Sequence, residues 1–136
     1  MRRILLVIGL IAIMMLGGWA YTSLNSYRTS VRFTQLGADT DDLFEALQTY
    51  KERLGVYPVG SNAEVVKAMM GNNAKSLIIL VGRKKNLNTK GELVDPWGTP
   101  FRIYFAGEGI MIRSAGPNKR FDDSTVPNSD DWYRSN

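Results

Sequence analysis

Apolar positions along this chain fall into three successive patterns. From Ile4 to Tyr21 fifteen of eighteen residues are apolar, the others are Gly9, Gly17 and Gly18, and no charge interrupts the run. A segment of this kind predicts a membrane-spanning helix. Backbone amides in lipid must be bonded within the segment, and at ~1.5 Å per residue it covers about 27 Å, close to the hydrocarbon thickness. A cleavable signal peptide is a second reading, since Arg2, Arg3 and the small residues around Trp19 supply its basic start and cleavage site. The length of the run, and Trp19 and Tyr21 at its end, favour an uncleaved anchor with an interfacial aromatic belt. The charges Arg2 and Arg3 abut the run on one side, while Arg28 and Arg32 follow at a distance on the other, so the N-terminus is expected in the cytoplasm. The expected division is therefore a membrane segment, 1–21, and an extracytoplasmic domain, 22–136.

The second pattern has helical period. After the polar stretch Thr22–Ser30, residues Phe33, Leu36, Leu43, Leu47, Tyr50 and Leu54 recur at intervals of three, four and seven. Gly55, with Pro58 beyond it, ends the pattern, which predicts a stalk helix to about residue 55. A break is conceivable at Gly37 or in Asp39–Asp42, where Asp39 or Thr40 could cap a fresh helix. Ser61-Asn62-Ala63-Glu64 reads as a capping box opening a short helix that closes at Gly71, with Met69 and Met70 as core filler. Leu77–Val81 reads as a strand or buried turn. The basic residues Arg83, Lys84, Lys85 and Lys90 read as a solvated loop, with a phosphate or lipid-headgroup contact as the lesser reading.

The third pattern has period two. Phe101–Phe105 and Ile110–Ser114, joined by Ala106-Gly107-Glu108-Gly109, predict a β-hairpin with Phe101, Ile103, Phe105, Ile110 and Ile112 on one face. That face needs a cover, and the amphipathic helix is the stripe of matching size. The expected fold class is α+β, a long helix laid on a small antiparallel sheet and followed by a C-terminal loop. Ahead of the hairpin, Asp95-Pro96-Trp97-Gly98-Thr99-Pro100 reads as a rigid turn with Trp97 plugging the core.

Composition removes most catalytic chemistry. The 136 residues include no histidine and no cysteine, which excludes imidazole bases, thiolate nucleophiles, His or Cys metal ligands and disulfides. The net charge of +4 owes two units to Arg2 and Arg3, and the remainder forms no basic face, so no nucleic-acid partner is expected. An enzyme would have to rest on paired carboxylates such as Asp122 with Asp130, in a domain with little room for a cleft. The chain is read as non-enzymatic.

The remaining candidate chemistry is an acidic tail. Asp122, Asp123, Asp130 and Asp131 lie within ten residues, and Asn118, Ser124, Thr125, Asn128 and Ser129 add oxygens. A hard cation such as Ca²⁺ takes six to eight oxygens from a loop able to fold around it. The spacing is not that of an EF-hand, and composition alone favours a solvated acidic loop over ion binding.

The apolar N-terminus, ALQTYKERLGVYP (Ala46–Pro58), DPWGTPF (Asp95–Phe101), SAGPN (Ser114–Asn118) and the closing DDW (Asp130–Trp132) together resemble the major pseudopilin of type II secretion systems. The resemblance runs from about Leu43 to the C-terminus. It implies a pilin-like fold in which the first half of the long helix spans the bacterial inner membrane and the second half packs on the sheet. It also implies a periplasmic head, assembly with copies of itself or with other pseudopilins and inner-membrane secretion components, and a calcium ion in the C-terminal loop. Carried over by position, the ion's oxygens come from Asn118, Asp130 and Asp131, with Asp122 and Asp123 in the intervening stretch. The sequence departs from the family in two places. Leu5 stands where the apolar helix carries a glutamate, and Asn118 replaces an aspartate of the loop. The function implied is a structural subunit of a pseudopilus. The alternative, suggested by Leu5, is a standalone membrane-anchored periplasmic binding module that does not polymerise.

Overall fold

The first two sequence patterns form one helix, α1 (Arg2–Leu54). The computed structural model describes residues 2–80, 86–123 and 129–136, excluding the side chains of residues 2–6 and 8. The polar stretch after Tyr21 continues the helix, and threonine hydroxyls along it and just beyond donate to the helix's own carbonyls: Thr22 to Trp19, Thr29 to Asn25 and Thr34 to Ser30. The conceivable break at Gly37–Asp42 does not occur. Thr40 is fully buried, and its hydroxyl donates to the carbonyls of Leu36 (2.7 Å) and Gly37 (2.9 Å), so it is satisfied inside the helix and does not cap a new one. The helix ends as expected. Gly55 takes φ +84°, and its N–H reaches the Lys51 carbonyl at 2.7 Å, while Lys51 and Arg53 in the last turn face the negative end of the dipole.

The chain divides into two compact units, Met1–Thr34 and Gln35–Asn136. In the first, Val7, Leu10, Ile13, Met14, Leu16, Trp19, Tyr21, Leu24 and Tyr27 are all exposed. No helix among the described residues is long and apolar enough to cross a membrane. The expected span Ile4–Tyr21 includes the side chains of Ile4, Leu5, Leu6 and Ile8, which lie outside the described ones.

The second unit is α+β. Helix α2 (Asn62–Met69) follows α1, and strands β1 (Arg102–Ala106), β2 (Gly109–Ser114) and β3 (Trp132–Ser135) form an antiparallel sheet in the order β1-β2-β3. The predicted hairpin has Ile103 opposite Ile112 and Phe105 opposite Ile110. These residues join Leu36, Leu43, Phe44, Leu47 and Tyr50 of α1, Val65, Val66 and Met69 of α2, and Leu80, Leu93, Trp97 and Phe101 in one core. The α1 face expected to cover the sheet does so. The hairpin turn is tied to the end of α1, where Tyr57 stacks on Phe105 and its hydroxyl donates to the Glu108 carbonyl, and Lys51 pairs with the Glu108 carboxylate.

Three details depart from the sequence reading. Met69 is core, but Met70 is exposed and bridges Ile78, so Leu77–Leu80 is a single bridge and not a strand; Val81 lies outside the described residues, as do Arg83, Lys84 and Lys85. The tail expected as loop ends in β3, which pairs Trp132 with Ser114, Tyr133 with Arg113 and Arg134 with Ile112. Four residues are too few for alternation to show in sequence, and the strand forms because β2 offers a free edge. Finally, Asn62 does more than follow the cap. Its amide donates to the carbonyls of Leu93 (2.9 Å) and Phe101 (2.8 Å), and its Oδ1 accepts the Leu93 N–H (2.7 Å), bracing the segments on either side of the tryptophan turn. The cap itself is present: Glu64 accepts from the Ser61 N–H and hydroxyl at 2.7 and 2.8 Å. The Ser61 backbone bond, then its hydroxyl, hold the Glu64 carboxyl below its usual value.

Candidate metal centre

The tail loop starts from a buried carboxylate in the tryptophan turn. Asp95 Oδ1 accepts the N–H groups of Trp97 (3.0 Å) and Thr99 (2.8 Å), and its Oδ2 accepts the Ser114 hydroxyl (2.7 Å). The Ser114 oxygen in turn accepts the Gly116 N–H at 3.1 Å. The two motifs that stand apart in sequence, DPWGTP and SAGP, are thus one hydrogen-bonded unit. Gly116 has φ +66°, and a Cβ there would collide with the backbone carbonyl of Asp130. Only glycine lets the loop leaving β2 lie against the segment entering β3.

Where these two segments meet, Asp122, Asp130 and Asp131 each present a carboxylate oxygen within 4.8 Å of the others. Backbone and side-chain donors hold part of each group. The Asn118 N–H donates to Asp130 Oδ2 at 2.9 Å, and the Asn118 amide donates to Asp122 Oδ2 at 3.3 Å. Arg113 Nε donates to Asp131 Oδ2 at 2.6 Å; its Nη2 bonds the same oxygen and the Asp122 carbonyl. The Asp122 N–H also points at Asp131 Oδ2, at 3.3 Å. The second oxygens differ. Oδ1 of Asp130 and Oδ1 of Asp131 are buried and have no hydrogen-bond partner among the described residues. The Asp131 side chain is 0% exposed. An orphaned carboxylate oxygen withdrawn from water is costly, and a hard cation, which binds oxygen and is sought by carboxylates, satisfies it.

Of the five expected ligands, the structure brings three together, Asp122, Asp130 and Asp131. Asn118 touches the cluster as a donor, and its Oδ1 is turned to the Arg120 N–H at 2.6 Å. It therefore positions the acids with its nitrogens. Asp123 is exposed and stands outside the cluster. Ser124, Thr125 and Asn128 lie outside the described residues.

The residue that sequence reasoning missed is Arg113. It occupies the outer face of the sheet, opposite Arg102 on one side and Tyr133 on the other. The two guanidinium groups share the Phe121 ring, at 3.9 Å from Arg102 and 5.4 Å from Arg113. Burial works to lower the Arg113 value, and the Asp131 hydrogen bond and charge overcome it, so the guanidinium is held above its ordinary value. The period-two pattern of β2 assigns Arg113 to the outward face. What brings Asp131 to it is the pairing of β3, which no local pattern marks.

Comparison with family models, with curated proteins and with solved structures finds no match to this chain.

Proposed function

We propose that this chain is a membrane-anchored, pseudopilin-like structural subunit of a type II secretion pseudopilus, with a pilin-like fold and no catalytic role. The observation that carries the reading is the contrast within α1. The part in the first unit exposes apolar residues from Val7 to Tyr27, and the part in the second buries its stripe in the core of a small antiparallel sheet. Uncovered apolar residues on this scale call for lipid or for copies of the same helix. On this reading the N-terminus is cytoplasmic, the chain passes once through the inner membrane, and the head is periplasmic.

The tail fits a calcium ion, because two buried carboxylate oxygens lack partners at the place where three acids converge. Asp122, Asp130 and Asp131 would hold it, with Asn118 and Arg113 orienting them. When bound, the ion supplies positive charge that cross-links the two segments of the tail. Its removal leaves the acids to repel one another.

Crosslinking in the membrane tests the assembly. Photoreactive groups at Ile13 and Leu16 are expected to give a ladder of homo-oligomers or adducts with other pseudopilins. A single heterologous partner and no ladder would instead establish the standalone binding module that Leu5 suggests.

A further inference from the structure

We propose that Arg113 is a built-in counter-cation that brings the charge of the tail centre to minus two and so shifts its preference away from trivalent and towards divalent ions. The inference rests on reading the tail as a cation centre and concerns what tunes it.

The geometry of the Arg113–Asp131 pair carries the argument. An arginine that simply pairs with a carboxylate tends to take both oxygens in a fork. Here Nε and Nη2 converge on one oxygen, Oδ2, which also receives the Asp122 N–H. Oδ1 is left buried and without a partner among the described residues, as is Oδ1 of Asp130. The arginine occupies one side of Asp131 and leaves the other for a further positive group. Nη2 also bonds the Asp122 carbonyl, so the same guanidinium holds the backbone of a second acid of the cluster.

Charge decides what that further group is. Three carboxylates contribute three negative charges, and a guanidinium that never deprotonates in proteins contributes one positive charge. The balance is two, which a divalent ion neutralises and a trivalent ion exceeds. Arg113 stays in place because it belongs to β2, the central strand, and stands between Arg102 and Tyr133.

The test uses the full-length chain in detergent, with terbium luminescence sensitised through the neighbouring Trp132 and Tyr133, and calcium measured by competition. The readout is the ratio of terbium to calcium affinity. Loss of Arg113's positional role weakens both ions together, so the ratio isolates charge. One extra unit of ionic charge, felt across about 6 Å at an effective dielectric of about 20, corresponds to about a hundred-fold in affinity.

Arg113→Gln is expected to raise the ratio about a hundred-fold over wild type. Arg113→Lys keeps the charge but loses the two-nitrogen contact with Asp131. It should hold the ratio within about two-fold while lowering the melting midpoint measured in EDTA. Arg102→Met, which removes an equal charge stacked on Phe121, should leave the ratio nearly unchanged. If wild type binds both ions and the Arg113→Gln ratio equals the wild-type ratio, the counter-cation role is overturned and the metal centre stands. Should Arg113→Gln fail to fold, a ten-fold change in the ratio of Arg113→Lys overturns the role on its own. Wild type binding neither ion removes the centre itself, and the inference with it.

Discussion

Asp95 and Asp131 are both carboxylates taken out of water, 3% exposed for the first and 0% for the side chain of the second. They differ in how the fold treats their oxygens. Both oxygens of Asp95 are bonded, by two backbone N–H groups and a hydroxyl, and the group completes a turn. Only one oxygen of Asp131 is bonded, and the other is buried with no partner among the described residues. A carboxylate satisfied on all sides is structure. One satisfied on half of its surface is a candidate site, because the unmet half creates a demand for positive charge.

Substitutions can separate the two cases, and Asp95 should show the largest effect. Asp95→Ala removes the carboxylate that accepts from the Trp97 and Thr99 N–H groups and the Ser114 hydroxyl. Chemical denaturation should show a loss of about 3–5 kcal/mol, the same in calcium and in EDTA. An Asp95→Ala loss that depended on calcium would erase the distinction between the two acids.

Next comes removal of the ion. With calcium at a hundred times its dissociation constant, chelation should cost about 2.7 kcal/mol of stability and lower the thermal midpoint accordingly. Asp130→Ala and Asp131→Ala should lose the response to EDTA altogether. A calcium-loaded sample whose midpoint ignores EDTA would place Asp131 with Asp95, as a merely structural acid.

Asn62 is a neutral counterpart of Asp95, a polar side chain spent on backbone groups of two segments. Asn62→Ala is expected to destabilise by about 2 kcal/mol regardless of calcium, read by the same denaturation curves.

Glu64 gives the smallest effect, as an exposed acid bonded to a helix cap. Its carboxyl is held below its ordinary value of 4.5 by the Ser61 N–H and hydroxyl. Its contribution is therefore complete above that ordinary value and fades as pH falls through the lowered one. Stability of wild type and Glu64→Gln should differ at neutral pH and converge in acid, with no dependence on calcium.

How much of this was readable beforehand varies by region. The stripe of Leu36, Leu43, Leu47 and Tyr50, the hairpin face of Ile103, Phe105, Ile110 and Ile112, the Ser61–Glu64 cap and the stop at Gly55 all repeat at intervals set by the helix or strand itself. They were legible because both the signal and the structure are local. Asp130 and Asp131 were candidates by composition, but their geometry was not. Asp122 joins them and Asp123 does not: the Asp122 carbonyl and N–H are held by Arg113 and Asp131, whereas Asp123 is exposed. Asn118 belongs to the site through its nitrogens, an orientation decided by the Arg120 N–H that occupies its oxygen.

The one-dimensional pattern alone determined the elements: an apolar helix, its amphipathic continuation, a capped short helix, a glycine-punctuated hairpin and a tail rich in oxygens. Tertiary structure decided which of these meet. It carried the helix through Gly37 by burying Thr40, joined DPWGTP to SAGP through Asp95 and Ser114, and added β3 to the edge of β2, bringing Asp131 onto Arg113. Periodicity follows from bonds between near neighbours in the chain. A half-satisfied buried carboxylate arises only when residues distant in sequence are brought together and water is excluded.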